Sequence, residues 1–121
     1  MSNSTPELIP ILRVASATAA VRWYVKLGFK QDWEHRFEDN LPAFVQISNG
    51  GTKIFLSEHT GDASPDTLVF LRVADVDAFI AGFADDGVVA EDSEVIGMRD
   101  VELKDPDGNR VRIGPSLRAS E

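Results

Sequence analysis

The sequence predicts an α+β protein built from two tandem βαβββ modules. Three observations predict it. The tetrapeptide Leu-Arg-Val-Ala occurs twice, at 12–15 and 71–74, an offset of 59 residues. Each copy leads into a stretch of helical periodicity that closes on a glycine. Three short runs of strand character then follow each helix, separated by turn residues.

The first element is the strand that carries Leu12 and Val14, alternating with Ile11 and Arg13. Ser16 ends it as a helix N-cap, because its hydroxyl can accept from an amide in the first turn. Ala17, Ala20, Val21 and Tyr24 then fall at i, i+3, i+4 and i+7, one face of a helix, and Gly28 is expected to cap its end. Strands follow at about 32–37, 43–48 and 52–57, the last two joined by Asn49-Gly50-Gly51.

A polar linker, 59–66, leads to the second copy. At the same offset Asp75 meets Ser16 as N-cap, Phe83 meets Tyr24, and Gly87 meets Gly28. The helix face here is Val76, Phe79, Ile80 and Phe83. Strands are expected at about 89–94, 99–104 and 110–114, the last two joined by Asp105-Pro106-Asp107-Gly108-Asn109, a strong turn sequence. The modules, about 8–58 and 67–114, are each too small to bury both a helix and a sheet, so one domain over 1–121 is expected.

Composition excludes several function classes. The net charge is −8, which repels phosphate backbones, so no nucleic-acid partner is expected. No apolar run approaches the roughly 20 residues that span a bilayer, so no membrane partner is expected either. With no cysteine and no signal-peptide pattern at the N-terminus, a cytoplasmic location is expected.

Strand alternation assigns faces. Leu12, Val14, Ile54, Leu56, Val101, Leu103, Val111 and Ile113 point to the helices. Ile11, Arg13, Lys53, Phe55 and Ser57 then share the opposite face in the first module. Leu68, Phe70, Arg72, Asp100, Glu102, Lys104, Arg110 and Arg112 share it in the second. Glu102 and Arg112 are expected to pair across their hairpin, as a structural salt bridge or as a site for a polar or zwitterionic ligand.

The stretches Pro10-Ile11-Leu12 with its following helix, and Leu103-Lys104-Asp105-Pro106-Asp107-Gly108-Asn109, resemble the vicinal oxygen chelate superfamily. Another name for it is the glyoxalase/bleomycin-resistance/dioxygenase superfamily. The similarity is greatest to its bleomycin-resistance-type binding proteins. It implies a curved mixed sheet around a cleft, helices on the outer face, and a homodimer with ligand sites near the dimer interface.

It also implies where a divalent metal would bind in the enzymes of the superfamily. Those positions fall on Ile9, Phe55, Leu68 and Arg112. Three offer no lone pair and the fourth is a permanent cation, so no metal and no other cofactor is expected. A displaced site built from His35, Glu58 and His59, with Glu34 nearby, is the alternative. With it goes the alternative function, a metal-dependent lyase, isomerase or dioxygenase.

In the bleomycin-binding members one strand supplies an acid and an aromatic to the drug crevice. Asp32 and Trp33 match that pair, Phe37 matches a further aromatic, and Ser57 matches a hydroxyl. Where such members carry Trp-Gly before the seventh strand, this chain has Ile96-Gly97-Met98. The resemblance therefore implies a metal-independent protein that binds a small cationic or aromatic ligand such as bleomycin and confers antibiotic resistance by sequestering it. Binding of an unidentified metabolite is the remaining alternative. The expected ligand residues are Asp32, Trp33, Phe37, Phe55, Ser57, Glu102 and Arg112.

Overall fold

A computed structural model describes residues 5–83, 90–93 and 100–115, with the side chains of 90–93 excepted. The expected Gly87 cap, Gly97 and Met98 lie outside the described residues.

The elements follow the repeat. β1 (Ile11–Arg13), α1 (Ala17–Val25), β2 (Lys30–His35), β3 (Phe44–Asn49) and β4 (Thr52–Ser57) form the first unit. β5 (Leu68–Arg72), α2 (Val76–Ala81), β6 (Ala90–Ser93), β7 (Asp100–Lys104) and β8 (Arg110–Gly114) form the second. The strands divide into two four-stranded sheets, ordered β1-β4-β3-β2 and β5-β8-β7-β6. The two orders are one topology used twice. In each, the opening strand pairs parallel with the closing strand, and the other pairs are antiparallel.

Both caps form as their residue types require. Ser16 Oγ accepts from the amide of Ala19 at 3.2 Å, and Asp75 Oδ1 accepts from that of Ala78 at 3.1 Å. Each satisfies an amide that the first turn leaves without a helical partner, worth about 1 kcal/mol. The helix ends differ from expectation. α1 stops at Val25, and Gly28 takes a left-handed φ of 94° two residues beyond its C-cap, Lys26. α2 is shorter than the periodicity suggests: it stops at Ala81, with Gly82 as C-cap. Glycine is a poor helix interior residue, so the first glycine in the run ends the helix.

The alternation resolves as the sequence predicts. Leu12, Val14, Ile54, Leu56, Val101, Leu103, Val111 and Ile113 are all buried, and they join Ala17, Ala20, Tyr24 and Phe83 in one apolar cluster. Each sheet therefore has a covered face, packed on this shared core, and an open face. Trp23, partly buried, packs against the edge of the core, with its ring 4.8 Å from that of Tyr24.

The Asp105–Asn109 turn ties the second unit to the first. Asn109 Nδ2 donates to the Arg13 carbonyl at 2.9 Å, and the Ala15 amide donates to Asp107 Oδ1 at 2.8 Å. Asp105, buried, accepts from Tyr24 Oη at 2.9 Å, from Asn109 Nδ2 at 3.1 Å and from the amides of Asp107 and Asn109. Among the described residues no helix is long and apolar enough to cross a membrane.

Candidate functional site

The open face of the first sheet carries aromatic rings on three adjacent strands. Trp33 (β2) stacks near-parallel to Phe44 (β3), with centroids 6.2 Å apart. Phe55 (β4) lies 5.7 Å from Trp33 and 4.9 Å from Phe44. The register explains the grouping. Trp33, Gln46, Phe55 and Ile11 form one cross-strand row, and His35, Phe44, Ser57 and Arg13 form the next. The indole is 41% exposed, so the cluster offers an open flat surface rather than a closed core.

Asp32 joins this face through a bulge. Residues adjacent in a regular strand point to opposite sides, yet the β2–β3 register shifts between Gln31 and Trp33. Gln46 Nε2 donates to Asp32 Oδ2 at 2.9 Å and Ser48 Oγ donates to Oδ1 at 3.0 Å. Gln46 and Ser48 alternate with the buried Val45 and Ile47, so they stand on the open face and the carboxylate stands with them. Those two hydrogen bonds hold the Asp32 carboxyl below its ordinary value, with help from the Lys30 and Lys53 charges. A fixed anion beside three rings is suited to a flat cation.

Two expected residues are placed elsewhere. Phe37 lies beyond the end of β2, 78% exposed, and touches His35 edge-on rather than the Trp33 cluster. Ser57 is on the expected face but fully buried, and its hydroxyl donates to Asp62 Oδ2 at 2.6 Å. The residue that sequence reasoning left out is Phe44. A signal for it existed: the two-residue turn at Gly50-Gly51 sets Asn49 opposite Thr52, and counting back puts Phe44 opposite Ser57, beside Phe55.

The open face of the second sheet is polar at its centre. Arg112 stands between Phe70 of β5 and Glu102 of β7. Its Nη2 donates to Glu102 Oε1 at 3.2 Å, and Arg110 Nη1 donates to Oε2 at 3.4 Å, so the expected cross-strand pair is a two-arginine clamp. Burial works to raise the Glu102 carboxyl, but the two guanidinium groups outweigh it and hold it below its ordinary value.

The residues at the superfamily's metal positions do not fit a divalent ion. Phe55 belongs to the aromatic cluster, Leu68 is an exposed hydrocarbon, and Arg112 is a cation engaged with Glu102. Both Glu58 oxygens accept from backbone amides, those of Ala17 at 2.7 Å and Ala43 at 3.0 Å. Among the described residues no three His, Asp or Glu side chains converge with metal-binding geometry.

Comparison with known proteins gives the architecture its relatives. A crystal structure of TnmS3, an antibiotic binding protein from Streptomyces sp. CB03234, superposes with a TM-score of 0.75 at 21% identity, covering 94% of this chain and 98% of that one. A bleomycin-binding protein complexed with bleomycin superposes with a TM-score of 0.71 at 20% identity, covering 93% and 99%. A bleomycin resistance determinant encoded on the transposon Tn5 gives 0.71 at 20% identity, covering 94% and 100%. At such identities the likeness establishes the shared fold. Among proteins of curated function, none matches the chain in sequence. Residues 4–118 match the family described as glyoxalase superfamily protein, and over that span the chain belongs to the glyoxalase superfamily.

Proposed function

We propose that this protein binds a small, flat, cationic molecule without a metal, and that it acts by sequestration, with a bleomycin-type glycopeptide as the leading ligand. The observation that carries the reading is the Trp33–Phe44–Phe55 surface with the Asp32 carboxylate fixed beside it. Offset stacking on such rings contributes about 0.5–1.5 kcal/mol per pair, and a cation over the indole adds a similar amount. The superposition on a bleomycin-binding protein supports the choice of ligand.

The active form in this reading is a homodimer. Ile11, Trp33, Leu68 and Phe70 are large apolar side chains left exposed on the two open faces of one chain. A second copy would set the aromatic face of one subunit against the Leu68/Phe70 face of the other and leave a crevice between them.

Tryptophan fluorescence tests the binding reading: metal-free bleomycin is titrated into the protein with a chelator present. Saturable quenching at about one drug per subunit, with a micromolar or tighter dissociation constant, is the expected result. Absence of any change at high drug concentration would discard the glycopeptide and turn the search to other flat cations. Sedimentation at the same concentrations reads the dimer.

A further inference from the structure

Asp100 opens β7 on the open face of the second sheet, yet its residue is only 1% exposed. Neither carboxylate oxygen has a hydrogen-bond partner among the described residues. Arg112 lies diagonal to it on β8, since Glu102 pairs with Arg112 and Asp100 Cβ lies beside Gly114. Arg112 spends Nη2 on Glu102, and its buried Nε–H is also without a partner among the described residues. Two complementary groups, an acceptor and a donor, thus stand on one face without pairing to each other. Buried polar groups are nearly always satisfied, and an exception marks a place that something else completes.

Among the described residues the ring of Phe70 stands beside Asp100, over Gly114. A Cβ at Gly114 would lie 2.9 Å from Phe70 Cζ and 3.2 Å from Asp100 Cβ, so the absence of a side chain at 114 lets ring and carboxylate share the space. Phe70 is 46% exposed, and it also lines a cavity of about 310 Å3 with Leu8, Pro10 and Lys53. The ring therefore has room to turn away.

We infer that Asp100 and Arg112 Nε form a covered subsite for an α-amino carbonyl unit, a protonated amine with a carbonyl on the adjacent carbon. The charges select that unit. Arg112 is already engaged with Glu102 through Nη2, which leaves its buried Nε–H for a further acceptor such as a carbonyl. Asp100 offers two buried oxygens that no described residue hydrogen-bonds, and the bond to a carboxyl group is strongest from a cationic donor. A simple amine would leave Arg112 Nε unmet, and a carboxylate ligand would face both Asp100 and Glu102. Phe70 gates the subsite by swinging off Gly114.

This subsite rests on the reading that ligands bind the open sheet faces, and the experiment separates the two. Glycinamide is titrated into 15N-labelled protein, and the Arg112 Nε–H resonance is followed by NMR. A saturable shift is expected with glycinamide and not with methylamine or N-acetylglycinamide. Asp100→Asn should weaken it about tenfold, the effect of losing one charge-assisted bond. Phe70→Ala should tighten it by removing the gate, with sedimentation confirming that the variant keeps the native oligomeric state. An Arg112 Nε–H unmoved by glycinamide in both the native and the Phe70→Ala protein overturns the inference and leaves a resident water as the partner of the pair. The bleomycin titration is read at tryptophan and this one at Arg112, so each reading can fail while the other stands.

Discussion

Asp32 and Trp33 are neighbours in sequence and neighbours on the same face of a sheet, which a regular strand forbids. The β2 bulge between Gln31 and Trp33 turns both side chains to the open side. Gln46 and Ser48 then fix the carboxylate beside the indole. An anion and a ring side by side recognise a flat cation better than either alone.

Trp33→Ala should cost at least tenfold in affinity for such a ligand, about 1.4 kcal/mol. Phe44→Ala should cost a comparable or smaller amount, about 0.5–1.5 kcal/mol, because one stacked neighbour is lost. Titration calorimetry on the two variants checks both values. Undiminished affinity in folded Trp33→Ala protein would remove the aromatic face from the site.

Asp32→Asn should weaken binding of a cationic ligand and flatten its salt dependence, since the electrostatic attraction is screened by added salt only while the charge is there. Affinity measured over a range of ionic strength distinguishes this from a lost hydrogen bond, which salt leaves largely untouched. An equal salt slope in native and variant protein would place the ligand's charge elsewhere.

Tyr24→Phe should lower stability by about 1–3 kcal/mol, because the phenol donates to the buried Asp105 carboxylate at 2.9 Å. Asp105 retains its other three donors, which favours the lower end of that range. Urea unfolding should show a lower midpoint at unchanged slope.

Acid should act on Glu58 and Asp105 in opposite directions. At Glu58 burial is the largest influence and raises the carboxyl. The amides of Ala17 and Ala43, with the Arg36 charge, outweigh it and hold the group below its ordinary value. Its contribution to stability is therefore whole above the ordinary carboxylate range and is lost as pH falls through the folded-state value. At Asp105 burial prevails over four hydrogen bonds and raises the carboxyl, so protonation relieves a penalty as pH falls. In thermal melts across the acid range, Glu58→Gln should lose stability at neutral pH and flatten the acid limb. A limb as steep as in the native protein would show that Glu58 is not its source.

Much of this was legible in the chain. The repeated Leu-Arg-Val-Ala phrase, the Ser16 and Asp75 caps and the period-two alternation of Leu12, Val14, Ile54 and Leu56 each have a local physical cause. The Glu102–Arg112 pair followed from one hairpin. What local rules missed were departures from regularity. The bulge has no glycine to announce it, and Phe37, matched to a crevice aromatic by resemblance, lies beyond the end of β2 at His35. Ser57 was assigned the right side, but the claim of Asp62 on its hydroxyl comes from a loop whose path the alternation does not describe. α2 ended at the nearer of two glycines because propensity acts at the first breaker met.

The bonds from Arg13, Ala15 and Tyr24 to the Asp105–Asn109 turn join segments 81 to 96 residues apart in the chain. The start of the polypeptide finds these partners only when nearly all of it has been synthesised. Loop closure over such a span is costly before any contact repays it, so folding should be slow for a chain of this size. Until the last hairpin arrives, the first βαβββ unit waits with its apolar face open, and that interval is when a nascent chain is most exposed to aggregation.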